Sequence, residues 1–200
     1  MRGIILAGGK SSRMNCNKSF VKLDGKPFIE IIVDKVRPIF KDKITIITNE
    51  PELYRYLNTD ICCDLVKDKG PIAGIYTGLV TSDSFHNFFL PCDMPFISGE
   101  TIKYMLKHKG RYDVIVPLIN GYIEPLYGIY SKNCIKAIEK CLLQNLLKVK
   151  SLYEYVSVKT IPEEVFTKLD SELKLFTNIN TLQELMAAQQ IINIRCQKII

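Results

Sequence analysis

The chain has 200 residues, 47% of them hydrophobic, and a formal net charge of +6 at pH 7. That size suits one α/β domain with a sizeable core, and no apolar stretch reaches the length of a membrane span, so no membrane partner is expected. The lysines are scattered rather than clustered, which reads as a solvated surface that also suits a polyanionic small substrate, and no nucleic-acid partner is expected. Seven cysteines, an odd number without a C-x-x-C pair, argue against a disulfide framework or a zinc site and for reduced thiols in a cytoplasmic protein.

The opening Met1-Arg2 leads into an apolar run too short for a secretory signal, and the first strand is expected at 2–6. It runs into Leu6-Ala7-Gly8-Gly9, followed by the hydroxyls Ser11 and Ser12, then Arg13 and Lys18. Glycines let a backbone approach a ligand closely, and successive N–H groups at a turn cradle an anion. Arg13 and Lys18 add charge to that cradle, and a nucleoside triphosphate is the anion it suits. An ordinary strand-to-helix turn would explain the glycines but not the two cations. The segment is not a P-loop, because Asn17 rather than Gly precedes Lys18. It is not a dinucleotide fingerprint either, because Gly8 and Gly9 are adjacent and no third Gly follows.

Further along, a helix is expected at 27–37 and a strand at 44–48, β-branched throughout as in a parallel sheet buried on both faces, with Asn49 just beyond it. A helix at 52–57 and a strand at 61–63 lead to Asp64. Gly70-Pro71-Ile72-Ala73-Gly74 reads as a tight turn into a helix at 72–80, with Pro71 at its first position. A strand at 86–90 then ends in Pro91-Cys92-Asp93-Met94-Pro95. A helix at 100–107, strands at 113–117 and near 124–130, and helices at 131–142, 148–154, 162–168 and 181–190 complete the reading. Strand–helix alternation predicts a Rossmann-like, doubly wound and mostly parallel sheet with flanking helices, which binds ligands at the carboxyl edge of its strands. With no repeat or linker, 1–200 reads as one domain.

Asp93, fixed between two prolines at a strand end, suits Mg²⁺, which takes few protein oxygens alongside phosphate oxygens. The competing role, capping the next helix, falls better to Ser98. Asp64 has two readings of equal weight, a hydrogen-bond acceptor for a base or the cap of a turn. Helix capping explains one of Asn178, Asn180 and Thr181 but not both asparagines, which share a face if the run is extended. His86 and His108 carry no motif.

The run Leu6-Ala7-Gly8-Gly9-x-Ser-x-Arg13-Met14-x-x-x-Lys18 resembles the signature of nucleotidyltransferases that activate sugars, polyols and pterins. Taken with Gly70 to Gly74, Cys92-Asp93-Met94-Pro95, Glu124-Pro125-Leu126-Tyr127 and Phe176-x-Asn178-Ile179-Asn180-Thr181, the chain from residue 3 to about 186 resembles the molybdenum cofactor guanylyltransferases. The resemblance implies a mixed central sheet, a nucleotide-binding part over about 1–98 and a pterin-side part over about 99–190. It implies transfer of GMP from GTP to the phosphate of the molybdenum–pterin cofactor with release of pyrophosphate. Leu6, Ala7, Gly8, Gly9, Lys18, Asn49, Asp64 and Gly70 would then line the GTP site, and Asp93 would bind Mg²⁺ and GTP. Arg13 and Lys18 would stabilise charge, and Asn178 and Asn180 would lie on the pterin side. Proteins that deliver molybdopterin, or the apo-molybdoenzymes that receive the product, are the implied partners.

Two positions depart from the family pattern. Asn15 and Asn17 stand where the family usually has Gly and often Asp. Asn tolerates left-handed backbone, so Asn15 can keep the turn, whereas Asn17 removes a negative charge beside Lys18. Other activities compatible with the motifs are cytidylyl transfer to the same pterin or transfer to a sugar phosphate, and, without catalysis, a nucleotide or pterin carrier.

Overall fold

A computed structural model describes residues 1–8, 17–170 and 174–197, the last six of them as backbone only. Strand β1 (Arg2–Leu6) is followed by a small hairpin, β2 (Lys22–Leu23) and β3 (Lys26–Pro27), and then by helix α1 (Phe28–Phe40). Next come β4 (Ile44–Ile47), a 3₁₀ stretch Pro51–Leu57, β5 (Asp60–Cys62), α2 (Pro71–Thr81), β6 (His86–Pro91) and α3 (Gly99–Leu106). The second half runs β7 (Val114–Ile119), β8 (Tyr122–Ile123), β9 (Gly128–Ser131), α4 (Cys134–Leu143), a 3₁₀ stretch Val149–Glu154, β10 (Val158–Pro162), α5 (Glu163–Leu169), a short turn Lys174–Phe176 and α6 (Leu182–Gln197).

The main sheet has the order β10-β7-β9-β6-β1-β4-β5, with β8 hydrogen-bonded to β7. The β6-β1-β4-β5 half is parallel, while β9 runs antiparallel between β6 and β7 and β10 is parallel to β7. Neighbours along β6 face opposite ways, as pleating requires: Phe88 packs with α1 and α3 through Ile32, Val36 and Met105, and Phe89 packs with α2 and α4 through Ile75, Leu79 and Ile138. Ile29, Ile32, Val33 and Val36 put one stripe of α1 in the core, worth about 1.5–3 kcal/mol per fully buried side chain.

Several local expectations need correction. Helix α1 continues through Pro38 to Phe40 rather than ending at 37, because the buried Phe40 ring holds the last turn against the sheet. The stretches at 52–57 and 148–154 are 3₁₀ rather than α-helical. The structure adds β10, where Val-Lys-Thr-Ile-Pro alternates; it is an edge strand, where its terminal Pro162 interrupts no central ladder. The structure also adds two hairpins, β2–β3 and β7–β8. Each turns on a dipeptide with positive φ at both residues, Asp24-Gly25 (52° and 76°) and Asn120-Gly121 (50° and 76°), the signal for a two-residue type I′ turn. No helix among the described residues is long and apolar enough to cross a membrane.

Gly128 shows how tightly the antiparallel insertion fits. A Cβ there would lie 2.7 Å from Val116 Cγ1 and 2.8 Å from the Ile115 carbonyl oxygen, and a backbone oxygen cannot rotate away. Gly128→Ala is expected to lower stability by about 1–3 kcal/mol, the usual cost of overpacking. A urea-unfolding midpoint unchanged from wild type would contradict that fit.

Candidate active site

The parallel strands deliver their ends to one edge, and the ladder continues past them. The Ala7 amide donates to the Ile47 carbonyl (2.9 Å), the Thr48 amide to the Cys62 carbonyl (3.0 Å) and the Cys92 amide to the Leu6 carbonyl (3.2 Å). These bonds set Ala7-Gly8, Thr48-Asn49, the residues leading to Asp64, and Cys92-Asp93 along that edge.

Lys18 opens a 3₁₀ turn, Lys18–Phe20. Asn17 caps the turn: its side-chain oxygen accepts from the Ser19 amide (3.1 Å) and its side-chain amide donates to Glu50 Oε2 (2.7 Å). The buried Tyr54 hydroxyl donates to Ser19 Oγ (2.9 Å), tying the turn to Pro51–Leu57. Asn17 therefore does more than remove a charge. It builds the platform from which Lys18 projects, as Asx residues do at helical starts.

From that platform Lys18 Nζ lies 3.6 Å from Asp93 Oδ2 and donates to Asn180 Oδ1. The two charged side chains are 23% and 22% exposed, so bulk water screens them less than a surface pair. Burial pushes the Asp93 carboxyl above the usual carboxylate range, Lys18 pulls it back, and Glu184 adds a small further rise. The Asp93 carbonyl accepts from the Ile179 amide (3.0 Å), which fixes the 178–180 segment beside it. Thr181 caps α6 reciprocally: Glu184 Oε2 accepts from the Asn180 and Thr181 amides (2.6 and 2.9 Å), and the Glu184 amide donates to Thr181 Oγ1 (3.2 Å). The Asn180 side chain is thus left out of the cap and joins Lys18, while Asn178 is half-buried with no hydrogen bond among the described residues.

Asp64 is the second carboxylate of this edge. A Cβ on Gly8 would meet its Oδ2 at 3.4 Å, and one on Gly74 would meet its Oδ1 at 3.8 Å. Burial pushes its pKa up, with a hydrogen bond from Thr77 opposing, yet Oδ1 is buried without a partner among the described residues. A buried acceptor without a donor is costly unless a ligand supplies one. Asp64 does not cap α2. Gly70 stands at that position with φ +69°, a conformation that favours glycine, and Pro71 begins the helix. Asn49 is exposed at the end of β4. Gly9, Arg13 and Asn15 lie outside the described residues. Sequence reasoning gave no role to Ser19, Glu50 or Tyr54, and no local signal marks a tyrosine that braces a turn from a distant segment.

Residues 3–159 match the model of the MobA-like NTP transferase domain. The chain belongs to this family. It is 37% identical, over 94% of both chains, to a probable molybdenum cofactor guanylyltransferase of Natranaerobius thermophilus. It is 36% identical to the molybdenum cofactor guanylyltransferase of Desulfosudis oleivorans, over 94% of this chain and 93% of that one. The fold superposes on molybdopterin-guanine dinucleotide biosynthesis protein A from Archaeoglobus fulgidus with a TM-score of 0.85, at 29% identity over 96% of this chain and 99% of that one. A 4-diphosphocytidyl-2C-methyl-D-erythritol synthase from Anaerococcus prevotii shares the fold alone, with a TM-score of 0.71 at 15% identity. The family and the mixed, mostly parallel nucleotidyltransferase sheet are therefore as expected from the motifs.

Proposed function

We propose that the protein transfers GMP from GTP to the terminal phosphate of the molybdenum–pterin cofactor, releasing pyrophosphate and forming the guanine dinucleotide form of the cofactor. The supporting observation is the meeting of Lys18, Asp93 and Asn180 at the carboxyl edge of the sheet, in a chain so similar to proteins named for that reaction. An oxygen of the pterin's terminal phosphate attacks the α-phosphorus of GTP, one P–O bond forms, and the α–β bridge breaks with its electron pair leaving on pyrophosphate. No covalent protein intermediate is needed, so the protein supplies position and charge.

In this reading the Leu6-Ala7-Gly8 backbone, continued by Gly9 and Arg13, cradles the triphosphate, and Gly70 gives the second loop its turn. Lys18 stabilises charge that builds toward pyrophosphate. The Asp64 oxygen, without a partner among the described residues, accepts from the N–H edge of guanine, and Asn49 contacts the nucleotide. Asn178 and Asn180 face the pterin, so Lys18 bridges the nucleotide-binding and pterin-side parts of a single domain. A metal fits at Asp93. Among the described residues no group of three or more His, Cys, Asp or Glu forms a cage, and one partly buried carboxylate beside a phosphate cradle is the donor set that Mg²⁺ accepts. Bound there, Mg²⁺ supplies positive charge to the α-phosphate oxygens. GTP as donor and a set of unpaired cysteines among the described residues suit the cytoplasm, with molybdopterin-delivering proteins or apo-molybdoenzymes as exchange partners.

The test is pyrophosphate release from GTP, CTP, ATP and UTP, each with Mg²⁺ and the molybdenum-loaded pterin. Release with GTP alone, lost on chelation, is expected, and Asp64→Asn should weaken the preference for GTP. Release with CTP in place of GTP would overturn the base assignment.

A further inference from the structure

A third carboxylate, Glu124, lies near the same sheet edge. Glu124 follows β8 and stands just before β9, whose first residue, Gly128, pairs with Phe89 near the end of the strand that leads to Asp93. We propose that Glu124 is the acceptor for the pterin ring, taking hydrogen bonds from the ring N–H and the neighbouring exocyclic amino group of its amino-pyrimidinone edge. The inference rests on the reading of the substrate given above. That substrate pair carries two rings with the same edge, guanine and pterin, each an N–H beside an amino group. A carboxylate accepts both hydrogens in parallel. Asp64 provides one such acceptor on the nucleotide side, and Glu124 provides the second on the pterin side.

The turn that carries Glu124 is held at three points. The Glu124 amide donates to the Pro117 carbonyl (3.0 Å). The Pro125 carbonyl accepts from the buried Tyr130 hydroxyl (2.6 Å), which lies 3.0 Å from the Tyr153 hydroxyl. The Tyr127 hydroxyl is 2.6 Å from that of Thr101, and its ring packs edge-on against Phe88 and Phe176. The turn is thus fixed while the Glu124 side chain, half-buried, has no hydrogen bond or ion pair among the described residues. Burial raises its carboxyl above the usual range, the negative charge of Asp93 adds to the rise, and Lys150 opposes both. A fixed turn that carries a partly desolvated carboxylate, without a partner among the described residues and within the electrostatic reach of Asp93, suits an acceptor that waits for its ligand.

The test compares wild type with Glu124→Gln, whose amide keeps the shape and sets a donor against the pterin's donors. Binding of phosphorylated 6-hydroxymethylpterin is measured by its fluorescence against the matching lumazine, which carries an oxo group in place of the amino group. KM for GTP and for the molybdenum-loaded pterin is measured in parallel. Wild type should prefer pterin to lumazine by about 10-fold or more, the scale of a hydrogen bond to a charged group. Glu124→Gln should erase that preference and raise KM for the pterin about 10-fold or more, with KM for GTP unchanged. A variant that keeps the preference, or that shifts both KM values together, overturns the inference. A wild type that forms no pyrophosphate overturns the proposed reaction instead. The binding preference still decides the role of Glu124 in that case.

Discussion

Asp93→Asn is expected to lower the rate of guanylyl transfer by about 10³-fold or more while leaving the protein folded, because it removes the carboxylate proposed to hold Mg²⁺ and the several kcal/mol of charge stabilisation that would go with it. Its effect on stability should have the opposite sign. Burial raises the folded-state pKa of Asp93 above its unfolded value, so ionisation opposes folding. The contribution of this group is fully present below the unfolded pKa and is lost as pH rises through the shifted one. When ionised, Asp93 in the ligand-free wild type is a partly buried charge, offset among the described residues by Lys18 and a backbone hydrogen bond. The variant should melt no lower than wild type, as expected where a site is held ready for charge at some cost to the fold. Thermal unfolding alongside turnover reads both effects, and full Mg²⁺-dependent activity in the variant would overturn the role of Asp93.

Lys18→Ala should lower kcat by at least about 10²-fold, the scale for removing a preorganised charge-stabilising donor. Lys18 also pulls the Asp93 pKa down, so its loss should move the acid limb of the pH–rate profile upward, an effect that a purely structural lysine would not produce. Lys18→Arg should restore little, since a planar fork cannot reproduce a point charge placed between Asp93 and Asn180. A pH profile superimposable on wild type would contradict the pairing.

What was legible in the chain was what depends on short range. β-branched and apolar runs gave the strands at 2–6, 44–48 and 86–90, and the glycines, prolines and charges that follow such runs marked loops 6–18, 64–74 and 91–95 at the carboxyl edge. The contacts that make those loops a site are long-range. Lys18 and Asn180 are 162 positions apart, and nothing in either neighbourhood announces the other. The antiparallel insertion of β9 between β6 and β7 was not legible either, because alternating strands and helices imply parallel order until the Asn120-Gly121 hairpin is taken into account. Asn17 illustrates the same limit. Read as a missing charge, it proves to be a cap whose value depends on Glu50 and Tyr54, which meet it only in the folded chain. Glu124 lies within the Glu124-Pro125-Leu126-Tyr127 run, but what holds that turn, Tyr130, Tyr153 and Thr101, is distant in sequence or invisible to local pattern.

Whether this edge of the sheet joins a guanylyl group to a pterin phosphate is decided by following the phosphorus. The protein is incubated with Mg²⁺, molybdenum-loaded pterin and GTP labelled at either the α- or the γ-phosphate, and the products are separated and weighed. The α-label is expected in a pterin–guanine dinucleotide and the γ-label in pyrophosphate. Both labels recovered in unchanged, bound GTP would contradict that transfer and make the protein a nucleotide carrier.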